Sequence, residues 1–364
     1  MLFNERVCAM EFLRLPAERL YENELAALAE CEKGTVPHGW RLSPRSVLLY
    51  ILGGIAGDTV ITPKYIGSAR TVELCVATLM TDRALLLVGP PGTAKSRLSE
   101  HLAAAVSGDS GLLVQGTMGT AEEHLKYGWN YAMLIADGPS EAALVKSPVY
   151  RAMEGGKIAR VEELTRCPPE VQDCLISLLS EKSMAIPELG RETRAAPGFS
   201  LIATANTADR GINELSSALG RRFARVALSP PATLEEEISI VRRRAEETAA
   251  LSGLTAALPD STVRKIVTII RELRQGQTLD GAQRLRPMTS SCSAAEAISV
   301  LTGSLALAEG FGDGVVTDVH LAALLPGTLV RDENRDGPAF EEYRQTVLKA
   351  RGEDFRAIYE NTET

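Results

Sequence analysis

Ala84-Leu-Leu-Leu-Val88 followed by Gly89-Pro90-Pro91-Gly92-Thr93-Ala94-Lys95-Ser96 is an apolar run that enters a glycine-rich turn. The turn opens a stretch with Leu98, Leu102 and Val106 at helical spacing. The run predicts a buried strand and the spacing a helix packed against it. Glycines let successive N–H groups of the turn point inward at a helix N-terminus, where the macrodipole favours an anion. In such a loop Lys95 reaches the β- and γ-phosphates, and the Ser96 hydroxyl takes a place on Mg²⁺. The expectation is therefore a nucleoside triphosphate site. Ala94 stands where this pattern has a second glycine, and it is strained if that residue needs φ > 0.

With 364 residues, 45% apolar and 24% charged, there is room for two or three packed units. The net charge of −8 argues against a broad nucleic-acid footprint, and so against a nucleic-acid motor. Six cysteines (Cys8, Cys31, Cys75, Cys167, Cys174, Cys292) form no C-x-x-C pair, and four histidines show no metal-ligand spacing. They read as reduced thiols rather than a disulfide frame or zinc site. Glu5, Arg6 and Glu11 do not fit a signal peptide. The longest apolar stretch, Val47 to Ala56, is too short to cross a bilayer and predicts a buried helix. A soluble cytoplasmic protein without a membrane span is expected.

Residues 1–60 read as a helical extension without phosphate or metal chemistry. Residues 61–229 alternate strands with helices, the pattern of a parallel α/β sheet. The expected strands are Ala84–Val88, Leu112–Gln115, Lys157–Val161, Phe199–Ala205 and Ala224–Leu228. Pro230-Pro231 breaks the chain, and Thr233-Leu-Glu-Glu236 reads as a capping box. Residues 230–330 are helical throughout, and 331–364 read as a charged tail.

Beside the loop, a second strand must supply carboxylates. Lys157-Ile-Ala-Arg-Val-Glu162-Glu163 is the candidate, although the strand is only half apolar. Glu162 would hold a magnesium-bound water, and Glu163 would orient and deprotonate the attacking water. Asn206, ending the strand Phe199 to Ala205, is placed to bond the γ-phosphate or that water. Arg221 or Arg222, before Phe223, is placed to act on a neighbouring subunit's γ-phosphate. Arg242-Arg243-Arg244 reads either as a phosphate-binding patch or as a solvated face. Trp129 reads either as a pore or client contact or as a core anchor.

In this order the parts resemble the AAA+ ATPases, and within them the MoxR-like branch, over about residues 60–330. Gly89–Ser96, with Ala before the lysine, is similar to the MoxR variant of Walker A. Ser147-Pro-Val-Tyr150 is similar to that branch's Gly-Pro-Val/Ile-Phe, and Glu162-Glu163-Leu-Thr-Arg166-Cys-Pro-Pro169 to its Asp-Glu-Ile-Asn-Arg-Ala-Pro-Pro. Ser183–Phe199 resembles the hairpin before the sensor strand, and Asn206 matches sensor 1. Arg221 and Arg222 match the arginine-finger position, and Ile66-Gly67 resembles the element that contacts adenine. The resemblance implies an αβα P-loop core with a five-stranded parallel sheet, followed by an all-α lid. It also implies ATP and Mg²⁺ at the interfaces of a homo-oligomeric ring, usually a hexamer. The role implied is chaperone-like remodelling or maturation of a protein partner or complex, often beside a von Willebrand factor A domain protein. Two positions depart from the pattern. Glu162 replaces Asp, and the sensor 2 arginine would fall near Ser291-Cys292, where there is none. Arg284 and Arg286, just upstream, read either as its substitutes or as surface arginines. The departures motivate an alternative, a weakly hydrolysing nucleotide-dependent assembly or switch subunit.

Overall fold

The computed structural model describes residues 14–206, 213–289 and 292–362. The chain divides into two compact units: one comprises Leu15–Pro90 and Ala94–Ser229, and the other takes in Pro91–Thr93 and the residues from Pro230 on. In the first, five strands form one parallel sheet: β1 (Ala84–Gly89), β2 (Leu113–Gln115), β3 (Ile158–Glu162), β4 (Ser200–Asn206) and β5 (Phe223–Ala227). Their spatial order is β5-β1-β4-β3-β2. Each strand lies within one residue of its expected ends.

A parallel sheet is covered on both faces, so its strands bury alternate residues in two different cores. Leu85 and Leu87 of β1, with Ile158 and Ile202, pack with Leu98 and Leu102 of the helix Lys95–Ser107. Leu86 and Val88, with Val161 and Ala203, pack with Tyr150, Leu175 and Leu178 on the opposite face.

The described part of residues 1–60, expected as a helical extension, is largely helical and packs into the first of these cores. Helices Glu22–Glu30 and Pro44–Leu52 bury Leu25, Leu28, Val47, Tyr50 and Ile51 in it, against Leu85, Leu87, Leu98 and Leu102. The described part of the N-terminal segment is thus a cover of the sheet. The apolar stretch Val47–Ala56 is not one helix. The helix stops at Gly53, whose φ of 84° suits glycine, and Gly54–Ala56 pairs with Thr59–Ile61 as an antiparallel hairpin.

The second unit is all-helical: Leu234–Leu251, Asp260–Gln275, Ala294–Phe311, Asp318–Leu329, Asp336–Tyr343 and Glu353–Asn361 are its main helices. The capping box at its start is present, with Glu236 N–H donating to the Thr233 hydroxyl at 3.1 Å and Thr233 N–H to the Glu236 carboxylate at 3.2 Å. Residues 331–364, read from sequence as a charged tail, instead bury Phe340, Tyr343, Leu348 and Ile358 with Val263, Ile266, Leu321 and Leu325. Polar side chains of this segment are also tied into the unit: Asp336 accepts Thr289 N–H at 2.6 Å, and Tyr343 donates to the buried Glu272 at 2.6 Å. Ala294–Phe311, 18 residues long, is the one described helix with the length and composition to cross a membrane. It buries Ala297, Val300, Leu301, Leu305 and Ala308 in the core of this unit.

In the first unit, Glu32 fastens the turn that leads into the helix Pro44–Leu52. Burial alone would raise its carboxyl, but N–H bonds from Ser43 and Gly34, both 2.8 Å, bring it from 4.5 to about 2. A carboxyl whose folded pKa lies below its unfolded value stabilises fully above the unfolded value and loses that contribution as pH falls through the folded one. The expected outcome for Glu32→Gln is a smaller loss of urea-unfolding stability than the parent shows between neutral pH and about 3. Equal losses would remove Glu32 from the acid response.

Candidate functional site

The loop begins where β1 ends at Gly89, and Lys95 opens the following helix. Gly92 has φ 77° and Ala94 has φ 61°, ψ 26°, so both lie in the left-handed region. The condition for strain at Ala94 is therefore met, at a cost of about 1–2 kcal/mol for a residue with a Cβ. Lys95 Nζ folds back over the loop and donates to the Gly89 and Pro90 carbonyls at 3.0 and 2.8 Å.

The acidic strand explains its own mixed composition. Ile158, Arg160 and Glu162 share one face by the two-residue period, the face covered by the helix Lys95–Ser107. Glu162 is only 4% exposed. Its Oε2 accepts the Ser96 hydroxyl at 2.7 Å and the Thr204 hydroxyl at 2.6 Å. Its Oε1 accepts the Ser99 hydroxyl at 2.5 Å and Arg160 Nη2 at 3.0 Å. Burial would raise this carboxyl, but the hydroxyls of Ser99, Thr204 and Ser96 and the charge of Arg160 together hold it below its ordinary value. Arg160, itself 5% exposed, also donates to Ser99 Oγ at 3.0 Å, the Ser110 carbonyl at 2.9 Å and the Ser96 carbonyl at 3.0 Å. Ser99, Arg160 and Thr204 were not singled out from sequence. The available signal was an arginine two residues before the acid in a strand that had to be buried.

Glu163 leaves this arrangement. Its φ of 54° and ψ of 43° place it in the left-handed region, and its N–H donates to Thr204 Oγ1 at 3.0 Å. The carboxylate is partly exposed and pairs with Arg166 Nε at 2.8 Å. The chain can pass here because position 116 is glycine: a Cβ on Gly116 would sit 2.5 Å from the Glu163 carbonyl and 2.9 Å from that of Glu162. Asn206 pairs in register with Gly89, so the end of β4 lies beside the start of the loop.

Ile66 and Gly67 follow Lys64, whose carbonyl accepts Arg97 Nε at 3.1 Å, one residue past Ser96. The Lys64 ammonium is buried against the Tyr21 and Tyr50 rings and pairs with Glu24 at 2.6 Å, so the N-terminal helices anchor this segment to the loop helix. Arg222 is committed within its own unit, donating to Ser180 Oγ at 2.8 Å and the Ala218 carbonyl at 2.6 Å. Arg221 is exposed, and its guanidinium makes no hydrogen bond or ion pair among the described residues.

In the second unit Arg284 and Arg286 are exposed, Cys292 is buried, and Ser291 lies outside the described residues. Arg242, Arg243 and Arg244 pair with Glu246 or Glu247 along their own helix, which is an ion-paired face. In the first unit, Trp129 packs partly buried against the core and edge-on to Tyr127 at 6.0 Å. The helix Tyr131–Asp137 beyond it exposes Tyr131 and Ile135. Among the described residues no group of three His, Cys, Asp or Glu could hold a metal ion.

Residues 84–223 match the model of the AAA domain of the dynein-related subfamily, and residues 235–362 match the YehL-like AAA+ ATPase C-terminal domain. The chain is 40% identical over 351 residues to YehL of Escherichia coli, a protein of uncharacterized function, covering 95% of this chain and 96% of YehL. A Staphylococcus aureus protein, also uncharacterized, is 26% identical over 216 residues, 58% of this chain and 77% of its own length. Among solved structures, NtrX from Brucella abortus in complex with ADP aligns with a TM-score of 0.49 at 14% identity, over 82% of this chain and 64% of that one.

The close approach at Gly116 generates an expectation. Gly116→Ala should lose about 1–3 kcal/mol in urea unfolding, because the added methyl meets backbone rather than a movable side chain. Unchanged stability would mean that the turn carrying Glu162 and Glu163 is looser than its geometry implies.

Proposed function

We propose, from the premise that this chain belongs to the YehL-like AAA+ ATPases, that it turns over MgATP between copies of itself and uses the cycle to remodel a protein partner. The observation that carries this reading is the 2.7 Å bond between Ser96 of the loop and Glu162 of β3, residues 66 positions apart. A serine hydroxyl beside an ionised carboxylate is a hard-oxygen donor set that fits Mg²⁺. When bound, that ion neutralises charge on the β- and γ-oxygens. The N–H groups of Gly92 to Ser96 and the Lys95 ammonium bind the phosphates, and Ile66 and Gly67 line the adenine. Ser96 and Glu162 hold the metal. Glu163, free of the hydroxyls that saturate Glu162, orients the attacking water and takes its proton. Asn206, level with Gly89, positions that water or the γ-phosphate.

Arg221 rather than Arg222 is the residue that completes a neighbour's site, because Arg222 already serves Ser180 and Ala218. A trans arginine requires a homo-oligomer, for which a hexameric ring is the MoxR-like arrangement. The partner proposed is a protein client, with a von Willebrand factor A domain protein beside it, in the cytoplasm where ATP is supplied. Support for these last points is the motif resemblance alone. The exposed Tyr131 and Ile135 offer an apolar client contact. The alternative, a nucleotide-dependent switch that hydrolyses weakly, draws on Glu162 in the place of Asp.

Steady-state phosphate release separates the two readings, since rates no faster than blank, alone and with partners, favour the switch. Glu163→Gln should retain ATP binding while turnover drops by roughly 10²–10⁴-fold, the range for losing a general base. Turnover equal to the parent's would remove Glu163 from the mechanism.

Complementation tests the trans arginine. Arg221→Ala and Glu163→Gln proteins should each be inactive alone and regain turnover when mixed, because one interface then joins an intact acid to an intact arginine. No recovery on mixing, with oligomers formed, would reassign Arg221.

A further inference from the structure

We infer that Arg160 is a positioning residue for the metal-site carboxylate, and that it fits glutamate rather than aspartate to position 162. The inference rests on the reading of Ser96 and Glu162 as the magnesium site. The two oxygens of Glu162 have divided surroundings. Oε2 meets the hydroxyls of Ser96 and Thr204, at the mouth of the phosphate loop. Oε1 is turned into the protein and held by Ser99 Oγ at 2.5 Å and Arg160 Nη2 at 3.0 Å. Arg160 is fixed in turn by Ser99, the Ser110 carbonyl and the Ser96 carbonyl, so its guanidinium has one pose.

Terminal carboxylate torsions are broad and roughly two-fold, so an untied glutamate presents either oxygen. The clamp on Oε1 removes that freedom and leaves Oε2 alone facing the loop. Glutamate has the reach to meet Ser99 and Arg160 on one side and Ser96 and Thr204 on the other. An aspartate, one methylene shorter, would withdraw from one of the two sets. The arginine also compensates a buried anion that would otherwise lack a counter-charge before any metal arrives.

The test measures binding of a fluorescent ATP analogue to the full chain, with Mg²⁺ and with EDTA, so that metal linkage is read without turnover. In the parent, Mg²⁺ should tighten binding. In Arg160→Gln that tightening should shrink roughly 10-fold or more, the effect expected when an outer partner of a metal ligand is lost. Affinity in EDTA should stay within about twofold of the parent. Arg160→Lys should recover part of the linkage by keeping the charge. Should Arg160→Gln fail to fold, Ser99→Ala removes the hydroxyl shared by Arg160 and Oε1, and it should lower the linkage in the same direction. An unchanged Mg²⁺ effect in both variants would overturn the inference, as would equal losses with and without Mg²⁺, which describe a structural arginine. A parent whose binding ignores Mg²⁺ would overturn the magnesium-site reading itself, and this inference with it.

Discussion

The first unit is organised around one buried negative charge. An anion removed from water costs several kcal/mol unless paired and hydrogen-bonded, and Glu162 meets that demand with four donors from three parts of the chain. Ser96 and Ser99 come from the helix after the loop, Arg160 from its own strand, and Thr204 from β4. This set makes the strand order consequential. β4 runs between β1 and β3, so Thr204 sits beside the acid while Asn206 sits beside Gly89. A sheet ordered by sequence would have kept β4 beside β3 but moved Asn206 away from Gly89.

Strain collects at the same place. Among the described residues, the non-glycine positions with positive φ are Ala94, Glu163 and Lys182, and two of the three belong to this site. Such conformations persist only where the surroundings over-determine them. At Ala94 the neighbouring hold is the fold-back of Lys95 onto Gly89 and Pro90. At Glu163 it is the Thr204 hydroxyl and the glycine at 116, which leaves room for two carbonyls. The strain therefore sits just past the ends of β1 and β3, where each chain segment turns into its following helix.

What was legible in the sequence was local. Gly89–Ser96 announces itself because the turn, the strand before it and the helix after it are contiguous, and the five strands follow from short apolar runs. The support of the acid was not legible: Ser99 to Glu162 spans 63 positions and Thr204 to Glu162 spans 42. The half-apolar look of Lys157–Val161 was the trace of it, since Arg160 breaks the apolar run on the face where Glu162 needs a cation. What the two ends of the chain bury against was hidden for a related reason. Leu25 and Tyr50 find their partners at Leu87 and Leu102, and Phe340 finds its own among residues of other helices, so periodicity within either segment could not reveal what it buries against.

Two carboxylates adjacent in sequence receive opposite environments, and the roles proposed for them draw on that contrast. Glu162, at the end of its strand, is buried and accepts four donors, which fixes its orientation and leaves little access for a moving proton. Glu163 is thrown out of the strand by one left-handed residue, partly exposed and held by a single ion pair to Arg166. A group that must accept a proton needs access and few competing donors, and only the second position offers both. The same contrast separates the two arginines before β5: Arg222 is bonded to Ser180 and Ala218 in its own unit, whereas the Arg221 guanidinium is exposed and makes no bond among the described residues. In both pairs, one neighbour is satisfied within its own unit and the other is left more open.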